Sequence, residues 1–311
     1  MSTFPDGVYQ YGGMPVGGKV FDGMWGGQVY FVDYDNGTER AGGLKITDPL
    51  NDIQAAIDLA GTDATIYVRP RVFSSEDPQQ ITPRTAENFH IDAAKTNMSL
   101  IGTGKGLSHA AAHKAWIGGY SGLVTPVLTV YAPGCVIENF RAQPPSSATY
   151  GIFYTVNDDT YDGGNTTFIS NDFHDANSTG GINCDSTWQM SIIGNRFVNC
   201  DIGILIRSFY SVPQIWEISH NYFTVTTGEV LADVYATGGL KRLVAYRNIH
   251  AAEQPTGGDP NKYYAFAATS SGMIAGDYFG AYDLAAANLC TLNGVNIAGC
   301  YSIQGLVVEA S

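Results

Sequence analysis

A loosely kept phrase, apolar–x–x–Asn–x–Phe, recurs through the second half of the chain and constrains the fold more than any other feature. Its central position is Glu138, Asn171, Asn195, Asn221, Asn248, Asp277 and Cys300 in successive copies. The position two residues later is Phe140, Phe173, Phe197, Phe223, His250, Phe279 and Ser302. The copies lie 33, 24, 26, 27, 29 and 23 residues apart. A period in this range is typical of solenoids, in which each repeat packs on its two neighbours.

The residues between the copies identify the kind of solenoid. After residue 61 the sequence lacks the long amphipathic helices of helical repeats, and it also lacks the leucine spacing of leucine-rich repeats. Short apolar runs separated by Asn and Gly turns fit a parallel β-helix, in which each strand pairs with its equivalent one coil further on. Asn side chains would hydrogen-bond along the stack, and aromatic rings would fill the interior. We therefore predict an all-β solenoid with coils over about residues 64–308.

The region before the coils divides into an arm and a cap. Residues 1–28 are rich in Gly and are predicted to form an extended arm, so that 29–311 make a single β-helix domain. A helix is predicted over about 49–60, because Pro49 suits a first helical position and Asp52 suits a helix N-terminus. Its apolar face would cover the exposed end of the coil stack.

Charge excludes one class of partner. Charged residues are 14% of the 311-residue chain, against about 25% in an ordinary soluble domain. The 16 Lys and Arg and 29 Asp and Glu give a net charge of −13, which repels phosphate backbones. General nucleic-acid binding is therefore disfavoured. Asn, Gly, Ser and Thr in turns and ladders take the place of the charged residues that an ordinary domain would have. The acidic excess is predicted to keep an exposed rod soluble.

Compartment signals are few. The start, MSTFPDGVYQYGG, has neither the basic nor the apolar region of a secretory signal. Uncharged segments at 115–137 and 284–308 are interrupted by Pro, Gly or Asn, so no membrane-spanning helix is expected. The five cysteines are odd in number and form no CxxC, which favours buried free thiols. Whether Cys184 and Cys200 pair stays open.

Three segments near the N-terminus carry a family resemblance. VYFVDYDNGTERAGG (29–43), DPLNDIQAAIDLA (48–60) and ATIYVRPRVF (64–73) resemble the entry region of pectate-lyase-like right-handed parallel β-helix proteins. MSLIGTGKG (98–106) resembles the next coil of that family, whereas Arg71 departs from its usual Gly. The resemblance implies a right-handed parallel β-helix with a short N-terminal capping helix.

The same entry region without a signal peptide resembles the β-helix proteins of tailed bacteriophages. That resemblance implies a virion structural protein of the capsid-decoration, fibre or tailspike type, exposed on the virion surface. It also implies attachment to other virion proteins through residues 1–28, a homo-oligomer with a trimer as candidate, and contacts with host or environmental glycans. Capsid or tail location, host, glycan and stoichiometry stay open.

The alternative implied by the family is a polysaccharide depolymerase of the lyase or glycoside hydrolase type. Such enzymes use converging carboxylates, and the lyases add calcium and a basic side chain. The candidate catalytic residues are Asp172, Asp175, Asp185 and Arg207. Asp158, Asp159 and Asp162 are candidates for binding Ca²⁺, with a solvated turn as the structural alternative. Because the acids are dispersed, a non-enzymatic protein is favoured and enzymatic activity is left open.

Aromatic residues near strand ends suggest a sugar-binding surface. Tyr and Trp rings offer apolar faces with a polar tip, which suits saccharides as well as subunit contacts. The candidates are Tyr154, Tyr161, Trp188 and Trp216. Packing inside the coils or between subunits is the structural alternative.

Overall fold

A computed structural model provides the architecture of the chain. It describes residues 10–11, 14–15, 27–70, 89–104, 114–118, 126–143, 152–174, 180–224, 232–251, 262–280, 290–302 and 305–307. The chain winds repeatedly through three sheets whose strands pair in parallel from coil to coil. This arrangement confirms the predicted all-β parallel β-helix, while its right-handed sense stays a prediction.

From Ser99 onward, the chain visits the first, second and third sheets in the same order in each coil. The first sheet has ten strands, in spatial order Val29–Val32, Thr65–Val68, Ser99–Gly102, Val136–Glu138, Thr167–Ile169, Trp188–Ile193, Gln214–Ser219, Lys241–Tyr246, Gly272–Ala275 and Val295–Ala298. The second has nine, Ala115–Gly118, Phe140–Gln143, Asp172–His174, Arg196–Val198, Tyr222–Thr224, Ile249–His250, Tyr278–Phe279, Cys300–Ser302 and the antiparallel Gly305–Val307. The third has eight, Phe89–Ile91, Leu128–Val130, Phe153–Val156, Ile182–Asp185, Ile202–Arg207, Ala232–Ala236, Lys262–Phe266 and Cys290–Thr291.

The capping helix is shorter than predicted. It runs over Ile53–Leu59, with Asp52 as N-cap accepting from the backbone N–H of Ala55 at 2.8 Å. The prediction that it begins near Pro49 is wrong, because Leu50 is held in extended pairing: its N–H donates to Phe31 and its carbonyl accepts from Asp33. The buried face joins the core, as expected of a cap.

Little of the predicted N-terminal arm lies within the described residues. Gln10–Tyr11 pairs antiparallel with Met14–Pro15, and the β-helix domain begins its first sheet at Val29. The domain boundary near residue 28 stays a prediction.

The turn between the first and second sheets carries the asparagine ladder. In each coil the residue before the ladder position has a left-handed φ, for example 57° at Ser170, 63° at Gly194 and 57° at His220. The ladder Asn itself does not take this left-handed conformation. Its buried amide instead bonds to the next coil: the N–H of Asn195 donates to Oδ1 of Asn221 at 2.9 Å.

The same bond joins every neighbouring pair of rungs. Backbone N–H groups donate to the next side-chain oxygen from Asn171 to Asn195, from Asn195 to Asn221, from Asn221 to Asn248 and from Asn248 to Asp277. The first copy of the phrase was aligned two residues out of register, because Ala142 rather than Phe140 pairs with Phe173. Glu138 is therefore not a rung, and the N–H of Phe140 donates to Asn171 at the end of the ladder.

Aromatic rings stack inside the coils beneath the ladder. The ring centroids of Phe173 and Phe197 are 5.0 Å apart, and those of Phe197 and Phe223 are 4.8 Å apart. His250 continues the stack 5.0 Å from Phe223 and 5.1 Å from Phe279. A polar imidazole thus occupies a position that the repeat assigns to Phe.

His250 is the centre of a buried polar cluster. Its Nδ1 lies 2.7 Å from Oδ2 of Asp233, and its Nε2 lies 3.6 Å from Oδ2 of Asp277. Tyr264 donates its hydroxyl to Asp277, and Asn248 contacts the same carboxylate. Burial lowers the pKa of His250, but the hydrogen bond to Asp233 and the two carboxylate charges outweigh burial and raise that pKa above its usual value.

This cluster makes stability depend on pH. We expect the free energy of unfolding to fall as the pH rises above about 6.5. The stabilising contribution of His250 is complete below the unfolded histidine pKa of about 6.5 and is lost as the pH passes the raised folded pKa. Among the described residues, the titratable groups that face the ring are Asp233, Asp277, Tyr263 and Tyr264. Urea unfolding at several pH values measures the slope, and a His250→Phe variant that kept the slope would contradict this assignment.

The cysteines are free thiols, and four of the five are buried. Cys184 and Cys200 do not pair. Burial raises the pKa of Cys135 to about 12, so this thiol behaves as a small core residue.

Where they are described, the two uncharged segments form strands of the three sheets. Among the described residues, no helix is long and apolar enough to cross a membrane.

Candidate functional site

Most of the candidate residues come together at one corner of the β-helix, where the chain leaves the third sheet and turns toward the first. We call this corner the turn site and define it by Tyr154, Tyr161, Asp162, Asp185, Trp188 and Arg207. Backbone bonds hold the successive turns together. The N–H of Asn157 donates to the carbonyl of Asp185 at 2.9 Å, and the N–H of Ser186 donates to that of Arg207 at 2.7 Å.

An ion pair between neighbouring strands lies at the centre of the polar contacts of the turn site. Asp185 and Arg207 are register partners in the third sheet. Nε of Arg207 donates to Oδ1 of Asp185 at 2.5 Å, and an Nη donates to Oδ2 at 2.8 Å. Tyr154, one strand away, donates its hydroxyl to Oδ2 at 2.8 Å. Two parallel bonds to a planar fork fix the carboxylate in one orientation.

This arrangement limits what Asp185 can do chemically. Both of its oxygens already accept bonds from Arg207, and Oδ2 also accepts one from Tyr154. Burial raises the pKa of Tyr154, and the hydrogen bond to Asp185 raises it further, so the phenol stays protonated. The trio is therefore a rigid polar platform in which both oxygens of the Asp185 carboxylate are engaged in hydrogen bonds. Nearby, the buried Oδ1 of Asn183 has no hydrogen-bond partner among the described residues.

Aromatic rings surround this platform. Tyr161 stacks on Tyr131 with ring centroids 4.1 Å apart. Trp188 is 37% exposed, and its Nε1–H donates to Oδ1 of Asp162 at 3.2 Å. Phe209 is 64% exposed, with the guanidinium carbon of Arg207 4.7 Å from its ring centroid, and its neighbour Tyr210 is 63% exposed. The corner thus presents several ring faces beside fixed polar groups.

Two of the three carboxylates proposed for calcium, Asp158 and Asp162, accept hydrogen bonds at this turn, and the third, Asp159, is exposed. Oδ1 of Asp158 accepts from the N–H groups of Thr160 and Tyr161 at 2.7 and 2.8 Å. Oδ1 of Asp162 accepts from Gly164 and Trp188. Within the described part of the chain, no three His, Cys, Asp or Glu side chains are placed as metal ligands. The bonds of Asp158 and Asp162 therefore favour the solvated-turn alternative for this acidic segment.

Asp172 lies elsewhere, on the outer face of the second sheet. Its Oδ1 is 3.0 Å from Nε2 of His174, and both side chains are buried. Burial raises the pKa of Asp172, but the hydrogen bond and charge of His174, with the charges of Lys114 and Arg196, outweigh burial and lower it overall. Asp172 and Asp185 therefore belong to separate groups of residues. The fourth catalytic candidate, Asp175, lies outside the described residues.

Trp216 corrects one sugar-binding prediction. Its side chain is only 2% exposed, and its Nε1–H donates to the carbonyl of Thr187 at 3.2 Å inside the coils. Trp216 and Ile218 both point into the core from the same strand. Its ring is therefore part of the interior packing, and the prediction that it binds sugar is wrong.

Some residues of these surfaces were not identified from the sequence. Tyr131 at the turn site, and Lys114, Trp116 and Arg141 beside Asp172, lie in coils that precede the clear copies of the repeated phrase. The alternation of side chains along a strand is the signal that could have identified them, because outward-facing positions alternate with core-facing positions.

The fold and these surfaces define the class, a parallel β-helix protein with polar and aromatic side chains on its outer faces. No protein-family model matches the chain, and no curated protein matches it. Among solved structures, the chain is similar to DFA-IIIase from Arthrobacter chlorophenolicus A6, determined in complex with GF2. The two share 13% identity over 85% of this chain and 72% of that chain, with a TM-score of 0.37.

Proposed function

We propose that this protein binds carbohydrate, and that the turn site holds a saccharide chain. The observation that carries the proposal is the grouping of exposed rings, Trp188, Phe209 and Tyr210, around the fixed Tyr154–Asp185–Arg207 platform. Aromatic rings supply large contact areas at low entropic cost, and fixed polar groups orient the ligand.

The details of the corner suit a hydroxylated ligand. Asp162 is held by the indole N–H of Trp188, so a carboxylate oxygen and a ring face are presented together. The tyrosine pair at 131 and 161 adds a second stacked surface on the neighbouring coil. Because these groups sit on stacked strands and turns, little ordering is needed when a ligand binds.

Binding without cleavage is the function that the turn site supports best. Glycosidases need one carboxylic acid that donates a proton and a second carboxylate that attacks or activates water. Asp185 is committed to Arg207 through both oxygens, which removes it from either task. We therefore assign Asp185 and Arg207 to holding the surface in shape.

Cleavage of a polysaccharide at the separate group formed by Asp172 and His174 is the second candidate, and one observation favours it. Asp172 is a buried carboxylate 3.0 Å from His174, which places a potential proton donor and acceptor side by side. Release of reducing or unsaturated ends from a polysaccharide, lost in Asp172→Asn but kept in Asp185→Asn, would establish this activity. If no glycan that the protein binds releases such ends, binding without cleavage remains the function.

We also propose, from the resemblance of residues 29–106, that the protein is a surface component of a tailed-bacteriophage virion. Attachment through residues 1–28 and a homo-oligomeric state belong to the same proposal. Mass spectrometry of purified virions tests the location, and a virion that lacks this polypeptide contradicts it. Native mass measurement tests the oligomer, with a trimer as the expected species.

The binding proposal predicts that Trp188→Ala weakens carbohydrate binding about five- to tenfold, because loss of one ring face costs about 1 kcal/mol. Affinity electrophoresis in gels containing dextran, galactomannan or inulin measures the effect. Tyr278→Ala is the matched control, because Tyr278 is an exposed ring on the outer face of the second sheet. Retardation by none of the three polysaccharides, or equal loss in both variants, contradicts the proposal.

A further inference from the structure

Three neutral residues of the repeated coil are replaced by titratable residues at one interface between coils. His250 is the register partner of Phe223 in the stack of rings. Asp277 takes the place of a ladder Asn and accepts from the N–H of Asn248 at 2.8 Å. The third residue, Asp233, lies 2.7 Å from the ring of His250. We call Asp233, His250 and Asp277 the charged cluster.

The preceding coils show that the fold does not need charge at these positions. Gly181 and Gly203 occupy the position equivalent to Asp233 in the two preceding coils. Those coils combine Gly, Phe and Asn, which carry no charge. A buried ion pair is often no more stabilising than neutral residues in its place, so the fold gains little from the replacement. Residues that break a local pattern in this way are expected at functional sites.

The charged cluster is balanced only while the imidazole carries its proton. His250 and Asp277 are fully buried and Asp233 is 5% exposed, so solvent screens their charges little. Nε2 of His250 lies 3.6 Å from Oδ2 of Asp277 and has no hydrogen-bond partner among the described residues. Loss of the imidazole proton therefore leaves two carboxylates inside the coils without a counter-charge.

The other titratable groups around the ring cannot replace this charge. In the described part of the chain, Tyr263 and Tyr264 face the imidazole. The thiols of Cys290 and Cys300 interact with the carboxylate of Asp277. Phenols and thiols are neutral or anionic in their two forms, so none of the four supplies a positive charge.

The charged cluster bridges the interface that holds the C-terminal coils, which we define as the described residues from Lys262 to Val307. In a solenoid each coil packs only on its neighbours, so a weakened interface affects the coils beyond it. In the second sheet, Ile249–His250 and Tyr278–Phe279 join the C-terminal coils to the preceding ones through two register pairs. Earlier neighbours in that sheet share three. Opening at this interface would leave the neutral coils folded.

We propose that the charged cluster is a pH-dependent switch: protonated His250 holds the C-terminal coils closed, and loss of its proton detaches them while the preceding coils stay folded. The stabilising contribution of His250 is complete below about pH 6.5 and is lost as the pH passes the raised folded pKa. Burial also raises the pKa of Asp233, which gives the same sign at lower pH. The switch is independent of carbohydrate binding at the turn site.

Two buried thiols report opening on either side of the interface. Cys300 lies in the C-terminal coils and Cys184 in the preceding ones, and both are fully buried. Iodoacetamide labelling of the native protein would be measured at about pH 6 and about pH 9, relative to the urea-unfolded protein at the same pH. We expect the relative rate at Cys300 to rise about tenfold or more with pH, on molecules whose Cys184 is still unlabelled. An unchanged relative rate, or labelling of both thiols together, overturns the proposal.

Removing both carboxylates tests the cause of the opening. Asp233→Asn/Asp277→Asn keeps the shape of the charged cluster and leaves no carboxylate without a counter-charge, so the rise in Cys300 labelling with pH should disappear. His220→Asn is the matched control, because His220 is an exposed histidine whose φ of 57° suits Asn, and the rise should be kept. A rise that persists in the double variant, or that is lost equally in His220→Asn, overturns the assignment.

His250→Phe is expected to act in the opposite direction. The two carboxylates then lack their counter-charge at every pH, so Cys300 should label at about pH 6 as fast, relative to the unfolded chain, as it does at about pH 9 in the unmodified protein. Slow labelling at both pH values in a folded His250→Phe variant refutes the switch. Where circular dichroism shows that this variant does not fold, the double Asn variant still decides the outcome.

Discussion

His250→Phe is expected to lower the free energy of unfolding by about 3–5 kcal/mol, although Phe continues the aromatic stack that runs through Phe223 and Phe279. The loss comes from Asp233. With the imidazole removed, this buried carboxylate loses the partner that lies 2.7 Å away and stays uncompensated inside the coils. Denaturant unfolding monitored by circular dichroism measures the change.

A second substitution separates the ring from the charge. Asp233→Val removes the uncompensated carboxylate, so the double variant Asp233→Val/His250→Phe is expected to recover most of the loss. The two single variants and the double variant form a cycle that gives the coupling between the residues. A single His250→Phe variant as stable as the unchanged protein would show that the buried pair contributes nothing.

The second large effect is expected in the asparagine ladder. Asn221→Ala should lower the free energy of unfolding by about 3–5 kcal/mol, because several buried groups lose their partners at once. The N–H of Asn195 donates to Oδ1 of Asn221 at 2.9 Å, and Nδ2 of Asn221 donates to the carbonyl of Ile192 at 2.8 Å. Both groups would remain buried without a bond. Thermal or urea unfolding measures the loss.

Asn296→Ala is the matched control for the ladder. Asn296 lies on a strand of the first sheet, but its side chain is exposed. Removing it should change stability by less than about 0.5 kcal/mol. Similar losses at Asn221 and Asn296 would mean that the ladder bonds are no more important than surface contacts.

The sequence predicts the ladder well, because one turn geometry repeats and each coil places an amide at the same point. The prediction fails at Glu138, because the rung position of that coil is Phe140 and the neighbouring Asn139 occupies the left-handed turn position one residue earlier. His250 was correctly placed in the ring stack. Its partner Asp233 lies 17 residues away in a strand of the third sheet, and no repeated phrase indicates that position.

The repeat length made the turn site predictable in part. Tyr154 and Arg207 lie 31 and 22 residues from Asp185, which is close to one coil, so stacking brings the three together. Trp216 was predicted to be on the surface, but in its strand Trp216 and Ile218, one on each side of Glu217, both face the core. Composition alone does not reveal which face of the strand is buried. Lys114 and Arg141 precede the regular copies, where the period gives no alignment.

The asparagine ladder also has a direction and an end. Each interior rung receives bonds from one neighbour and donates to the other, so that Asn195 and Asn221 are chemically interchangeable modules. Whole coils inserted or deleted among such modules would leave every remaining rung with the same donors and acceptors. At the next rung the side chain of Asp277 accepts from Asn248, and the backbone N–H of Asp277 donates to the thiol of Cys300. The length of this rod is accordingly adjustable in steps of one coil among the Asn rungs, whereas the Asp277 and Cys300 rungs carry different acceptors.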